Sequence, residues 1–258
     1  MSVASKIIYR SWLDTRWRFI GGVLILTCMA IGLVLIYPQA KGLLPIAAEV
    51  KLPSGLAEEF RKVIDLSSTF EGYQWVKWYN GNLVLFGSLF AVLLGAGGVF
   101  STGGGAFYTL ALPASRRRLL INRAGVGLIE LFGVMMLPTL AVPLVAPAIG
   151  ETVGITTALV HGFCAFLAGS LVFSFTLLLA TGFSDTWRPV LIGIAFTGAN
   201  ILAETFFHDQ LPYGVQHTMS GESYFRDGVL PWPGLAICAA GSAVLIYAAV
   251  INLERRDF

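Results

Sequence analysis

Charge is scarce in this chain. Asp, Glu, Lys and Arg make up 12% of its 258 residues, about half the share of an ordinary soluble domain. With 56% hydrophobic residues and a mean hydropathy of +0.75, too little polar surface remains to cover a water-soluble globule. Lysine is absent after Lys77. The triple glycine Gly103–Gly105 is followed by Ala106, Phe107 and Tyr108, so the lysine and hydroxyl that a P-loop places on phosphate and magnesium are missing. The chain is therefore not expected to hydrolyse ATP by itself. The three histidines, His161, His208 and His217, are scattered, with no H-E-x-x-H and no acid pair on one face of an apolar run. A metal-dependent enzyme of lipid phosphates needs clustered carboxylates, and a serine hydrolase needs G-x-S-x-G. Both patterns are lacking, so no catalysis, metal or cofactor is expected of this chain. The cysteines, Cys28, Cys164 and Cys238, lack metal-ligand spacing and are expected to pack as small buried hydrophobes. A net charge of +2 without a basic tail gives no reason to expect nucleic acid.

Apolar runs are what the chain has in abundance. Six of them lie at about 19–37, 82–100, 124–149, 153–181, 189–207 and 232–252. Each is long enough to cross a hydrocarbon core as a helix. The runs are continuous rather than alternating, which favours helices over a barrel. The expected fold is an all-α polytopic membrane protein, one domain over residues 1–258. The run from Phe19 to Tyr37 exceeds a signal-peptide core and predicts a retained span. Gly150, Glu151 and Thr152 alone separate the third and fourth runs, which predicts a tight hairpin. Pro138, Pro143 and Pro147 are expected to kink or break the end of the third span. Gly87, Ala91 and Gly95, and Gly193 with Thr197, are spaced for close helix contact.

Basic residues set the expected orientation. Lys6, Arg10, Arg16, Arg18, Arg116, Arg117, Arg118, Arg123, Arg188, Arg255 and Arg256 would share one side, eleven of the seventeen. The positive-inside rule then places both termini in the cytoplasm. Trp12, Trp17 and Trp187 would mark the inner boundary, and Trp75, Trp78 and Trp232 the outer one, as an aromatic belt. Residues 5–18 (SKIIYRSWLDTRWR) mix apolar and basic side chains and predict an interfacial helix carrying Tyr9, Trp12 and Arg16; a positively charged flank with no docking role is the alternative. Of the outer segments, 38–80 contains helical spacing over 55–66, with Leu56, Phe60, Val63 and Ile64 on one face. Pro212, Gly214, Gly221 and Gly228 should break any long helix in the other, 208–231.

Ionisable groups within apolar runs are costly and point to function. Glu130 and His161 either line a polar transport path or bond to neighbouring helices. Glu204 is expected to reach the outer headgroups, with a place on that path as the alternative. The cytoplasmic loop 101–123 combines Phe107, Tyr108, Thr109, Leu110 and Leu112 with Pro113, Ser115 and the cluster Arg116, Arg117, Arg118. So much apolar surface exceeds what solubility requires. It predicts a short helix docking a cytoplasmic partner, with the arginines on acids or phosphates; the alternative is a charged anchor with lipid-facing apolar residues.

At this loop, Leu110–Arg118 (LALPASRRR) resembles the permease subunits of type-2 ATP-binding cassette transporters. The amphipathic start, the ending Leu253–Phe258 (LERRDF) and the six-span layout are similar too. The resemblance implies a half-transporter in a bacterial or archaeal cytoplasmic membrane. A second permease chain, identical or homologous, would complete the path. Two separate ATPase subunits, holding ATP and magnesium, would dock beneath it. It further implies a coupling helix at about 103–120, an N-terminal helix touching the ATPase, and segment 208–231 in the place of outer re-entrant helices. Hydrophobic walls point to export of a hydrophobic or amphipathic cargo. A non-transporting subunit that passes ATPase motion to a periplasmic partner is the alternative.

Overall fold

A computed structural model of the chain describes residues 3–48, 54–97, 115–183, 185–207 and 213–255, with side chains placed from Ile8 to Leu44 and from Phe60 onward within the first two segments. All regular elements among them are helices. Helix α1 runs Val3–Ala48 and α2 Ser54–Ser67. Helix α3, Phe70–Gln74, passes without a break into a π-helical stretch, Trp75–Leu83, and then into α4, Val84–Gly95. Helix α5, Arg116–Val145, ends in a 3-10 turn, Ala146–Ile149. There follow α6 (Ile155–Gly182), α7 (Trp187–Phe206), the short α8 (Val215–Ser220) and α9 (Glu222–Asp227), and α10 (Trp232–Glu254). Among the described residues, six helical segments are long and apolar enough to cross a membrane: Ile8–Leu44, Phe70–Gly95, Arg116–Ile149, Ile155–Gly182, Trp187–Phe206 and Trp232–Glu254.

Helix α6 is the hub. It packs on α4, α5, α7, α8 and α10, while α1 lies mainly against α5. Small residues set these approaches, because a Cβ at Gly95 would stand 2.5 Å from the Phe173 carbonyl oxygen and one at Gly127 2.6 Å from the Phe173 ring. The same contacts fix an antiparallel α5–α6 register, with Gly169 against Met135 and Gly162 against Met136 and Thr139. Hydroxyls add cross-links in a solvent that offers none. Ser174 and Ser242 share a 2.7 Å hydrogen bond, and Ser242 also donates to the Ser170 carbonyl. Large apolar side chains such as Leu24, Ile25, Ile129, Leu144 and Val244 stay exposed on the outer faces of the bundle, as expected where lipid replaces water.

The bundle has two distinct ends. Arg123 near the start of α5 reaches Ser11 in α1, and Asn252 near the end of α10 donates to Thr181 at the end of α6. Both termini and the flanks of 98–114 therefore share one end, called here the loop end. The far end carries α2, the π-helical stretch, the 150–154 turn and the α8–α9 pair.

Several local expectations differ from what is found. Residues 5–18 belong to the same unbroken helix as the first span. Helix α5 continues through Pro138 and Pro143, and the break expected at the end of the span falls at Ala146, beside Pro147. Trp75 and Trp78 are 5% and 0% exposed: they are core residues, not members of a lipid-facing belt, whereas Trp17, Trp187 and Trp232 are exposed. Cys164 and Cys238 are buried, but Cys28 is exposed.

Candidate functional site

At the loop end, two arginines bind three helices together. The Arg123 guanidinium donates to the Ser11 carbonyl at 2.9 Å, to Thr15 Oγ1 at 3.4 Å and to the Leu94 carbonyl at 3.5 Å. Arg18 donates to the Leu93 carbonyl at 2.7 Å. Thr15 in turn donates to Glu130 Oε1 at 2.8 Å, so a chain of contacts runs from Leu94 through Arg123 and Thr15 to Glu130. Arg123 and Glu130 stand seven residues apart, two turns on one face of α5, which brings both to the same face of α1. The oxygen Glu130 Oε2 has no hydrogen-bond partner among the described residues, but the carboxylate sits within electrostatic reach of Arg123 and Arg18. A buried charge needs such company.

The first turns of α1 are amphipathic in an inverted sense. Ser11 and Thr15 face inward, while Ile8, Tyr9, Trp12 and Trp17 are exposed. Tyr9 and Trp12 lie 6.4 Å apart, centroid to centroid, and Arg16 stands 5.3 Å over the Trp17 ring. Of the loop residues, Phe107, Tyr108, Thr109, Leu110, Leu112 and Pro113 lie outside the described residues. Ser115 is the N-cap of α5, its hydroxyl accepting from the Arg118 N–H. Arg116, Arg117 and Arg118 form the first turn, with Arg117 and Arg118 exposed. Cations there oppose the helix dipole, so helix stability is not what they serve.

No protein-family model, curated protein or solved structure matches the chain. Its own geometry is what function must be read from.

Glu130 and His161 are not brought together. The α5–α6 register puts His161 level with about Thr139, nine residues from Glu130 and roughly 13 Å along the axis. His161 belongs to the far end. Its Nδ1 lies 2.9 Å from the Ser220 carbonyl oxygen, which can only accept, so Nδ1 carries the proton. The ring stacks on Tyr79 with centroids 4.1 Å apart and meets Tyr224 edge-on at 5.7 Å. Gly221 is required here twice over: it adopts φ +65° at the end of α8, and a Cβ would stand 2.7 Å from His161 Nδ1. Beside His161 opens a cavity of about 290 Å³, with Glu71, Gln74, Trp75, Tyr79 and Tyr224 among its walls.

Glu204, expected at the headgroups, is 4% exposed. Its two oxygens accept the N–H groups of Gln216 and His217, each at 3.0 Å, so a carboxylate from α7 caps the start of α8. Beyond it, Glu222 bonds both His217 and Arg226. The Glu222 hydrogen bond holds the His217 imidazolium above its usual range, and the same bond holds the Glu222 carboxyl below its own.

Sequence reading singled out Glu130 and His161 but missed Thr15, Gln74 and Tyr79. For Thr15 no signal existed beyond its place on a helix face. For Arg123 and Glu130 the seven-residue spacing of opposite charges inside one span was a usable sign.

Proposed function

We propose that this chain is the membrane-spanning subunit of an ATP-driven transporter of the ATP-binding cassette kind. It would be driven by two separate ATPase subunits that grip the loop between the second and third spans, with a second permease chain beside it. Both termini would lie in the cytoplasm of a bacterial or archaeal cell, and the cargo would be a hydrophobic or amphipathic compound moved outward. The observation that carries this reading is the arginine network. The last turn of α4 and the first turns of α5 flank the loop, and Arg18 and Arg123 connect both to α1. A push on the loop is thereby passed to three spans rather than absorbed by one. The exposed Arg117 and Arg118, set against the helix dipole, supply cations for an acidic partner surface.

The test is purification from native membranes in mild detergent. An ATPase subunit should accompany the chain, and changing Phe107, Tyr108 and Leu110 together to Glu should release it without loss of membrane insertion. Retained ATPase and normal stimulated hydrolysis in that variant would overturn the assignment. Coupled hydrolysis with no cargo movement in vesicles would instead select the second reading, a subunit that relays ATPase motion to a partner on the outer side.

A further inference from the structure

Gln74 makes the far-end cavity more than a packing gap. Its side chain is 1% exposed and lines the cavity, and neither its amide oxygen nor its amide nitrogen has a partner among the described residues. An unmet buried group of this kind loses its hydration without a replacement, and folded proteins rarely retain one without a use. Tyr79 repeats the pattern: it is 3% exposed, it lines the same cavity, and its hydroxyl has no partner. The indole nitrogen of Trp75, on the same wall, is a third such group. All three sit in or beside the π-helical stretch, a backbone form that recurs at functional sites.

The chemistry of the wall selects the ligand. Glu71, at the exposed rim, is the one carboxylate among the described lining residues, and no lysine or arginine joins it. With Nδ1 donating to Ser220, a neutral His161 keeps Nε2 as an acceptor. Acceptors therefore come from Glu71, Gln74, Tyr79 and His161, and aromatic rings make up much of the remaining surface. An anion would be repelled by Glu71; a cation bearing N–H donors would meet acceptors and aromatic surface together. The volume, about 290 Å³, far exceeds the ~10–15 Å³ that one water needs. The geometry points to a binding site for a small protonated organic amine, its ammonium group held by Gln74 and Glu71 and its apolar body against Trp75, Tyr79 and Tyr224. The site lies at the end remote from the loop, so it stands whether or not an ATPase drives the chain.

The experiment is titration calorimetry on the full chain in lipid nanodiscs near neutral pH, using phenethylamine, phenethyl alcohol and phenylacetate. These probes share a body and differ in the charge of the head. Phenethylamine should saturate one site per chain, at least about tenfold tighter than the alcohol, with no saturable phenylacetate binding. Gln74→Ala and Glu71→Gln should each weaken the amine by about tenfold or more. Equal uptake of all three probes, which signals partition into lipid, would overturn the proposal, as would saturable amine binding untouched by both substitutions. If Gln74→Ala fails to fold, Thr157→Phe at the rim fills the same space from the first turn of α6. Wild-type amine binding in that variant would also overturn it.

Discussion

At the loop end, the guanidinium groups of Arg18 and Arg123 meet backbone carbonyls and the Thr15 hydroxyl, which itself donates to the Glu130 carboxylate. At the far end, Gln74, Trp75, Trp78 and Tyr79 are equally buried, yet their side-chain polar atoms go unmet among the described residues. Both ends lie in a bundle whose outer faces are apolar, so the difference is one of connection. A hydrogen-bonded polar network fixes helices to each other, here with one oxygen, Glu130 Oε2, left over among the described residues. An unsatisfied one leaves capacity that something else takes up, and here a cavity stands beside it. The loop end is built to hold and the far end to receive.

That contrast can be broken or sharpened by substitution. The largest effect is expected for Arg123→Met, which removes the donor to Ser11, Thr15 and Leu94 and one of the two cations whose field reaches Glu130. Leaving such buried groups without their charged donor costs roughly 1–3 kcal/mol for each, read as a fall in the thermal unfolding midpoint in detergent. Adding Glu130→Gln should return much of that loss; a double variant as unstable as the sum of the two singles would dissolve the network. Next comes Glu204→Ala, which leaves two α8 N–H groups without their acceptor. At about 1–3 kcal/mol for each, residues 215–220 should exchange amide hydrogens markedly faster while the rest of the bundle is unchanged.

Glycine substitutions test packing within one helix. Gly95→Ala would press on the Phe173 carbonyl, which cannot turn aside, and should destabilise by about 1–3 kcal/mol. Gly87→Ala meets the flexible ends of Met135 and Met219 and should stay under about 1 kcal/mol. Equal midpoints for the two variants would contradict this packing.

The smallest effect concerns pH at the far end. His217 is raised from 6.5, so its contribution is complete below that value and is lost as pH rises through its folded one. Glu222 is lowered from 4.5, so its contribution is present above that value and is lost as pH falls through its folded one. The pair is at full strength between those two ordinary values. Hydrogen exchange across 215–228, corrected for intrinsic rates, should show more protection at mildly acidic pH than at alkaline pH. Glu222→Gln should erase that difference.

Much of the architecture was legible because lipid imposes simple demands. Uninterrupted apolar runs left helices as the natural solution, and six long apolar helices are found. What escaped was lateral. Trp75 and Trp78 carry the composition of a membrane belt, and nothing in a linear sequence says that Phe225 will stack on Trp75 at 4.7 Å. Glu204 likewise gave no sign of the N–H groups it caps, since they lie 12 and 13 residues on and meet it only in the folded chain. Pro138, Pro143 and Pro147 predicted a kink or break at the end of the third span; the helix changes form at Ala146, beside Pro147, while neighbouring helices hold α5 helical past Pro138 and Pro143. The predicted partner-docking residues Phe107–Pro113 lie outside the described structure, so their reading still rests on composition.

The tie from Thr15 to Glu130 joins residues 115 positions apart, whereas α5 and α6 meet across a short turn. During synthesis the α5–α6 pair can therefore zip together as soon as both have emerged, but α1 must wait for α5 before its Thr15 finds a carboxylate. A first helix of 46 residues is suited to that wait. Its apolar stretch, Ile8–Leu44, is by itself long enough to cross a bilayer, and Ser11 and Thr15 sit near the first residues of that stretch.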